Sequence, residues 1–159
     1  MESFTFNKNK MPVNPIPEHF HSITPYLHVQ GVQNLVGFLT HAFGAKEISS
    51  SKLPDGTIIN ACMQIGNSVI EISEVRGGFQ PMPCAIHLYV DDADAIYKKA
   101  LEVGAEPVME PVTQFYGDRE AFVKDPSGNH WYIATRIENV TEEEIKKRME
   151  EMVKRMNAE

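Results

Sequence analysis

The chain has 159 residues, of which 42% are apolar and 23% charged, and its formal net charge is −7. This length is sufficient for one domain that buries its own core without disulfides or a structural metal. The acidic balance argues against nucleic-acid binding, which needs a basic face, and against binding to anionic membranes. No apolar run approaches the roughly 18 residues of a membrane span, and the first ten residues lack the apolar stretch of a signal peptide. We therefore expect a cytoplasmic protein whose two cysteines, Cys62 and Cys84, are reduced.

Residues 1–19 are predicted to form an extended N-terminal arm. Pro12, Pro15 and Pro17 fall within six residues, and proline at this density blocks a regular helix or a central strand.

Residues 20–138 are predicted to form one domain that contains a repeat. Each copy reads as a strand, a helix and three further strands. The landmarks that recur are the glycine after the helix and the Gly-Asn turn before the last strand, at Gly44, Gly104, Gly66-Asn67 and Gly128-Asn129. Glycine just past a helix end is favoured because it adopts the left-handed cap conformation without steric cost. The landmarks lie about sixty residues apart, which places module one at about 20–76 and module two at about 82–138.

Residues 139–159 are predicted to contain an additional C-terminal amphipathic helix. Thr141 and Glu144 have the spacing of a capping box, in which each side chain covers a free backbone donor. An apolar stripe follows at helical spacing: Ile145, Met149, Met152, Val153 and Met156. The stripe is expected to dock either on its own domain or on a partner subunit, and the sequence leaves both open.

Alternation along the predicted strands separates an aliphatic face, suited to packing under the helices, from a face rich in aromatic and polar side chains. This second face carries Tyr26, His28, Glu71, His87, Tyr89 and Tyr132. Antiparallel sheets commonly have one solvated face. However, Tyr and His are amphipathic residues that line pockets, and this face has no Lys, so we favour a ligand cleft. Asn60 and Cys62 share one face of a neighbouring strand and are candidate wall residues.

The same residues carry a family resemblance that covers most of the stretch from His21 to Glu138. The matching segments are TPYLHVQGV, FLTHAFGAKEI, LPDGTIINACMQIGNSVIEISE, LYVDDADAIYKKALEVGAEPV and YGDREAFVKDPSGNHWYIAT. They resemble the vicinal oxygen chelate superfamily of glyoxalase I, bleomycin-resistance proteins and extradiol dioxygenases, and in particular its PhnB-like branch. The resemblance implies an α+β fold in which two βαβββ modules form curled mixed sheets around a cleft, here with the extra C-terminal helix. It also implies a homodimer.

Metal-dependent members of this superfamily take four ligands, whose positions here correspond to Thr24, Glu71, Ala85 and Tyr132. Only Glu71 is a usual ligand, because threonine is a poor one, tyrosine is uncommon and alanine has no donor atom. We therefore expect no cofactor and no metal at these positions. A shifted site for Zn, Ni, Fe or Mn made of Glu71, His87 and His28 remains the alternative.

Arg119 follows Asp118 in the YGDR segment. It would clamp a carboxylate or phosphate of a ligand if it turned into the cleft, and would form an ordinary salt bridge at a strand end otherwise.

Two functions follow from these observations. The first is a metal-free protein that binds an organic small molecule, with Tyr26, Tyr89 and Tyr132 stacking on it. In this reading Glu71 and His87, predicted to pair with each other, orient its polar group together with His28. The second is a divalent-metal-dependent lyase, isomerase or dioxygenase, in which Glu71 and His87 are the catalytic residues. The first is favoured because three of the four ligand positions are not ordinary ligands. The expected partners are a small molecule and a second copy of the chain, with no nucleic acid and no membrane.

Overall fold

The computed structural model of the protein describes residues 13–157, so the first twelve residues of the predicted arm lie outside it. Within this range the chain forms eight strands and three helices. In chain order they are β1 (Tyr26–Val29), α1 (Val32–Phe43), β2 (Lys46–Lys52), β3 (Ile58–Ile65), β4 (Ser68–Glu74), β5 (Ala85–Tyr89), α2 (Ala93–Glu102), β6 (Glu106–Thr113), β7 (Asp118–Lys124), β8 (His130–Arg136) and α3 (Glu142–Met156).

The strands form two four-stranded mixed sheets with the same topology. The orders are β1-β4-β3-β2 in the first sheet and β5-β8-β7-β6 in the second. In each sheet the first strand pairs in parallel with the last, and the other pairs are antiparallel. This is the predicted pair of βαβββ modules followed by an extra helix, and the predicted α+β fold is confirmed.

Helices α1 and α2 contact each other and cover one face of each sheet. The covered faces are aliphatic, as strand alternation predicts. The buried side chains on them include Leu27, Ile72 and Met63 in the first sheet and Val123, Trp131 and Ile133 in the second. Phe43, at the end of α1, stacks obliquely on Trp131 with 4.7 Å between ring centroids. The two modules are thus joined through their helices and apolar faces, and the opposite face of each sheet is left uncovered by helix.

The predicted helix stops occur where glycine allows them. Gly44 ends α1 with φ of 65°, and its N–H donates to the last carbonyls of the helix. Gly104 follows α2 with φ of 98°. Positive φ strains any residue with a Cβ atom, which explains why glycine stands at both positions.

The turn between β7 and β8 is organised by one buried carboxylate. Asp125, 3% exposed, accepts hydrogen bonds from the Trp131 indole, from both the backbone and the side chain of Asn129, and from the Ser127 backbone, all at 2.8–3.0 Å. The DPSGN segment is therefore more than a glycine turn, because its aspartate also anchors the largest core side chain.

Helix α3 is capped at its start but packs little of its surface on the domain. The Glu144 N–H donates to the Thr141 hydroxyl, which is half of the predicted capping box. The Glu144 carboxylate instead accepts from Arg148. The described part of the chain buries none of the residues of α3. No helix within residues 13–157 is long and apolar enough to cross a membrane.

Candidate functional site: the open face of the second sheet

We use the name second open face for the helix-free side of the second sheet. The register of three neighbouring strands aligns its side chains: His87 of β5 lies opposite Tyr132 of β8, and Tyr132 lies opposite Phe122 of β7. It carries His87 and Tyr89 of β5, Tyr132 of β8, and Asp118, Glu120 and Phe122 of β7. Together they combine two carboxylates with a row of aromatic rings.

Glu120 is the central polar group of this face. It is only 6% exposed, because the strands and the Tyr116 ring surround it. Its Oε2 accepts a 2.7 Å hydrogen bond from the Tyr116 hydroxyl, and its Oε1 lies 3.4 Å from Nε2 of His87. Among the described residues no Lys or Arg forms an ion pair with it. A buried carboxylate without a fixed cation is costly unless a partner arrives, which makes Glu120 a candidate for ligand recognition.

Tyr116 is held in its neutral, donating form. Burial, followed by the hydrogen bond to Glu120 and the charge of that carboxylate, raises the pKa of the Tyr116 hydroxyl well above its ordinary value. The tyrosine therefore keeps its proton at neutral pH and fixes the orientation of the Glu120 carboxylate.

Asp118 lies beside Glu120, and the charge of its carboxylate is balanced by Arg136. It is 1% exposed. Its Oδ2 accepts a 3.1 Å hydrogen bond from the Tyr89 hydroxyl, and its Oδ1, which receives no hydrogen bond, lies against Nε of Arg136. Asp118 thus holds Tyr89 and Arg136 in place, whereas Glu120, among the described residues, has no Lys or Arg partner.

Aromatic rings form the floor of the face. Phe122 and Tyr132 are stacked with centroids 4.3 Å apart, and His87 and Tyr89 are stacked at 4.7 Å. The Tyr132 and Tyr89 side chains remain exposed, at 37% and 56%. Such a surface offers flat apolar area to a planar ligand next to the Glu120 carboxylate.

The corresponding helix-free side of the first sheet, the first open face, is built differently. It carries Tyr26, His28, Asn60, Cys62, Glu71 and Ser73. His28 stacks obliquely on Tyr26 at 4.5 Å and shares a 3.1 Å hydrogen bond with the Ser73 hydroxyl. The Glu71 side chain is partly exposed and makes no hydrogen bond or ion pair with another described residue. The first open face is polar, and few hydrogen bonds link its described side chains.

The predicted pairing of Glu71 with His87 does not form within the chain. Glu71 lies on the first sheet and His87 on the second, where Glu120 is its acidic neighbour at 3.4 Å. The prediction was wrong because it assumed that the two sheets present their polar sides to each other, whereas in one chain the modules meet through helices and apolar faces. The proposed shifted metal set of Glu71, His87 and His28 is likewise split between the two sheets.

Arg119 forms the salt bridge that the sequence left open as one of two possibilities. Its Nε and Nη2 donate to the two carboxylate oxygens of Asp94 at 2.9 and 2.8 Å. The hydrogen bond from Arg119 holds the pKa of the Asp94 carboxyl below its ordinary value. Asp94 is in the first turn of α2, so Arg119 points to the helix side of the sheet and away from Glu120.

Sequence reasoning missed Glu120, Phe122 and Tyr116. The signal was present in the alternation along β7, since Asp118, Glu120 and Phe122 must share a face if Arg119 points to the other. The repeat carries the same information. Asn60 and Cys62, which were singled out, occupy in β3 the register positions that Glu120 and Phe122 occupy in β7.

A cavity of about 950 Å³ lies between the modules, along the edge of β5. Most of its wall is apolar and comes from the start of β4, from β5 and from α2, but His87 and Tyr89 of the second open face also line it. Glu120, Asp118 and Tyr116 do not line it. We place the candidate site on the second open face, because that is where titratable and aromatic groups converge.

The residues at the superfamily's usual metal positions do not fit a metal. Ala85 offers no donor atom, and the Thr24 hydroxyl donates to the His21 carbonyl at 3.3 Å. A different group, His87, Asp118 and Glu120, places one potential ligand atom from each residue within 4.8 Å of the others. This set has the donor types of a divalent-metal site, although Arg136 and Tyr89 already occupy Asp118.

Comparisons with known proteins agree with this architecture. Residues 19–133 match the model of the Glyoxalase/Bleomycin resistance protein/Dioxygenase superfamily. An uncharacterised protein of Mycobacterium bovis is 31% identical over 139 residues, which cover 80% of this chain and 91% of that protein.

Solved structures show the same fold. TioX from Micromonospora sp. ML1 superimposes with a TM-score of 0.63 at 19% identity, over 72% of this chain and 98% of TioX. A gene product of Arabidopsis thaliana gives a TM-score of 0.60 at 27% identity, over 72% and 98% of the two chains. The family match, the mycobacterial relative and the paired βαβββ modules together establish that the chain belongs to the Glyoxalase/Bleomycin resistance protein/Dioxygenase superfamily.

Proposed function

We propose that the protein binds an organic small molecule on the second open face and that Glu120 is the residue that recognises it. The observation that carries this proposal is a buried carboxylate that has a fixed neutral donor, Tyr116, and no Lys or Arg partner within residues 13–157, set beside exposed aromatic rings. A ligand that brings a donor group to Glu120 would supply the missing partner.

The chemistry of the face favours a planar ligand with a cationic or strongly hydrogen-bonding donor group. Stacking on Tyr132 and on the His87–Tyr89 pair would hold the ring. A charge-assisted hydrogen bond to Glu120 would fix its orientation, and such bonds contribute about 1.5–3 kcal/mol each. An anionic ligand would instead meet the Glu120 carboxylate, which has no Lys or Arg partner among the described residues.

The complete cleft, in this proposal, needs a second copy of the chain. The first open face supplies the opposite wall, where Tyr26, His28, Asn60, Cys62 and Glu71 would make secondary contacts. The apolar side chains exposed near the open edges of β1 and β5 support this arrangement: Ile23 at 87%, Met82 at 63% and Tyr89 at 56%. We propose that this homodimer is cytoplasmic. We also assign the chain to the PhnB-like branch of the superfamily, because the DPSGNHWYIAT segment and the neighbouring segments resemble that branch.

Three fragments with the same ring test the proposal: benzamidinium, benzamide and benzoate. We expect benzamidinium to bind with a dissociation constant in the millimolar range in ligand-observed NMR titrations, and benzoate to bind at least about tenfold more weakly. Glu120→Gln keeps the side-chain shape and should weaken benzamidinium binding by about tenfold or more. The matched variant Glu71→Gln should change it less than about threefold. Equal binding of the three fragments, or an unaffected Glu120→Gln variant, would contradict the proposal.

The alternative function is a divalent-metal-dependent lyase, isomerase or dioxygenase. Its supporting observation is the His87, Asp118 and Glu120 group; there Glu120 and His87 would hold the metal, which would act as a Lewis acid when bound. Near one equivalent of Zn, Ni, Fe or Mn retained through dialysis, and lost in both His87→Ala and Glu120→Gln, would favour this alternative. Metal that is retained equally by both variants would count against it.

A further inference from the structure

Helix α3 presents an apolar stripe that residues 13–157 leave largely exposed. Met149, Met152, Val153 and Met156 are 44%, 40%, 46% and 68% exposed. The helix is nevertheless held in a defined place by Arg148, which donates to both carboxylate oxygens of Glu138 at 2.8 Å and to the Phe115 carbonyl at 3.3 Å. The stripe is thus displayed on a fixed helix, and it does not collapse onto its own domain.

A groove of about 490 Å³ runs between α3 and residues 113–115. Met152 and Met156 line it together with charged side chains of the same flank of the helix, Arg148, Glu151 and Arg155. An apolar floor with charged rims of both signs is the surface that an amphipathic helix fits.

The charges beside the stripe alternate in sign along one flank. Glu144, Arg148, Glu151 and Arg155 follow at spacings of four, three and four residues, which keeps them on the same side of a helix. The order acid, base, acid, base becomes base, acid, base, acid when the helix is reversed. The flank is therefore complementary to an antiparallel copy of itself, whereas in a two-fold parallel pair it would face the other flank of the partner helix and would not meet its own copy.

We propose that α3 is a self-association element that pairs antiparallel with α3 of a second copy. The two-fold axis passes close to Met149, so that Glu144 of each copy meets Arg155 of the other, while Arg148 stays paired with Glu138 of its own chain. A two-fold contact requires a surface that is complementary to itself, and this flank satisfies that condition. The methionines and Val153 form the apolar seam between the two helices. This contact is independent of the ligand proposed above and adds to any contact between the sheets.

Disulfide trapping in the full-length chain tests the pairing. In Met149→Cys the two introduced thiols face each other near the axis, within the span a disulfide can bridge. We expect mild oxidation to give a dimer whose 149–149 linkage is identified by peptide mass spectrometry. Lys147→Cys lies in the same turn on the opposite side of the helix and should give no 147–147 linkage. Absence of the 149–149 linkage, or equal cross-linking at both positions, would overturn the proposal.

Charge reversal then tests the orientation, with the yield of the 149–149 linkage as the measurement. Arg155→Glu in the Met149→Cys background replaces two attractions by repulsions and should lower the yield about tenfold. Glu144→Arg should do the same. An equal mixture of the two variants restores both attractions in an antiparallel pair, so it should cross-link as a mixed dimer to within about twofold of Met149→Cys alone. A mixture that stays as weak as its components, or a yield that Arg155→Glu leaves unchanged or raises, would refute the antiparallel arrangement.

Discussion

The two modules share a backbone plan, yet their open faces differ at matching positions. Where the second sheet places buried Glu120 and half-buried Phe122 on its third strand, the first sheet has exposed Asn60 and half-buried Cys62. The two modules thus share the aliphatic face that both need for packing, and they differ on the helix-free face. Both faces carry aromatic and titratable groups, but among the described residues the buried carboxylates Asp118 and Glu120 belong to the second open face, and this difference supports our proposal of a site there.

The modules also start their helices differently. In module one the Glu74 carboxylate accepts from the Gly31 and Val32 N–H groups at 2.9–3.0 Å. In module two Asp92 caps its own helix through the Ala95 N–H, and the Thr135 hydroxyl receives the Ala93 N–H. The Glu74 carboxylate therefore serves to cap α1, and Glu71 is the carboxylate of the first open face.

The largest expected effect is a difference in stability between variants of the two β-turns that precede the last strand of each module. Asp125→Ala removes the acceptor of the Trp131 indole and of two donors of Asn129, and should lower the free energy of unfolding by about 3–5 kcal/mol. Asn67→Ala, in the exposed turn of module one, should change it by less than about 0.5 kcal/mol. Urea unfolding followed by Trp131 fluorescence measures both, and similar losses in the two variants would show that the turns are equivalent.

These turns show which features of the fold can be predicted from the sequence. The Gly-Asn pairs and the stops at Gly44 and Gly104 were predictable, because positive φ restricts the residue locally. The role of Asp125 was not, since its four donors become neighbours only once β7 and β8 pair. The same limit hid Glu120, whose importance depends on Tyr116 and on the buried position that strand pairing gives it.

A smaller effect is expected at the helix starts. Glu74→Ala exposes the first N–H groups of α1 and removes a charge favourable to the helix dipole, and should cost about 2 kcal/mol. Asp92→Ala should cost about 1 kcal/mol, because Thr135 still caps part of α2. Chemical denaturation of the two variants tests this order, and a larger loss for Asp92→Ala would reverse the comparison.

The smallest effect is a pH dependence located in module two. Because the pKa of Tyr116 is raised in the folded protein, its contribution to stability is complete below pH 10 and declines above it. The unfolded chain then loses the proton that the folded chain retains. Above pH 10 the wild type should lose up to about 1.4 kcal/mol per pH unit relative to Tyr116→Phe. Denaturation at pH 8, 10 and 11 measures this difference, and parallel curves for the two proteins would contradict it.

The difference between the two open faces is tested most directly by mapping where a planar cation binds. Benzamidinium added to the isotopically labelled protein should shift the backbone amide signals of residues 118–122 and of Tyr132, which surround Glu120. The amides of Glu71 and Asn60 should move less. Shifts confined to the first open face, or to Ile70 and Ile96 of the cavity between the modules, would contradict our placement of the site on the second open face.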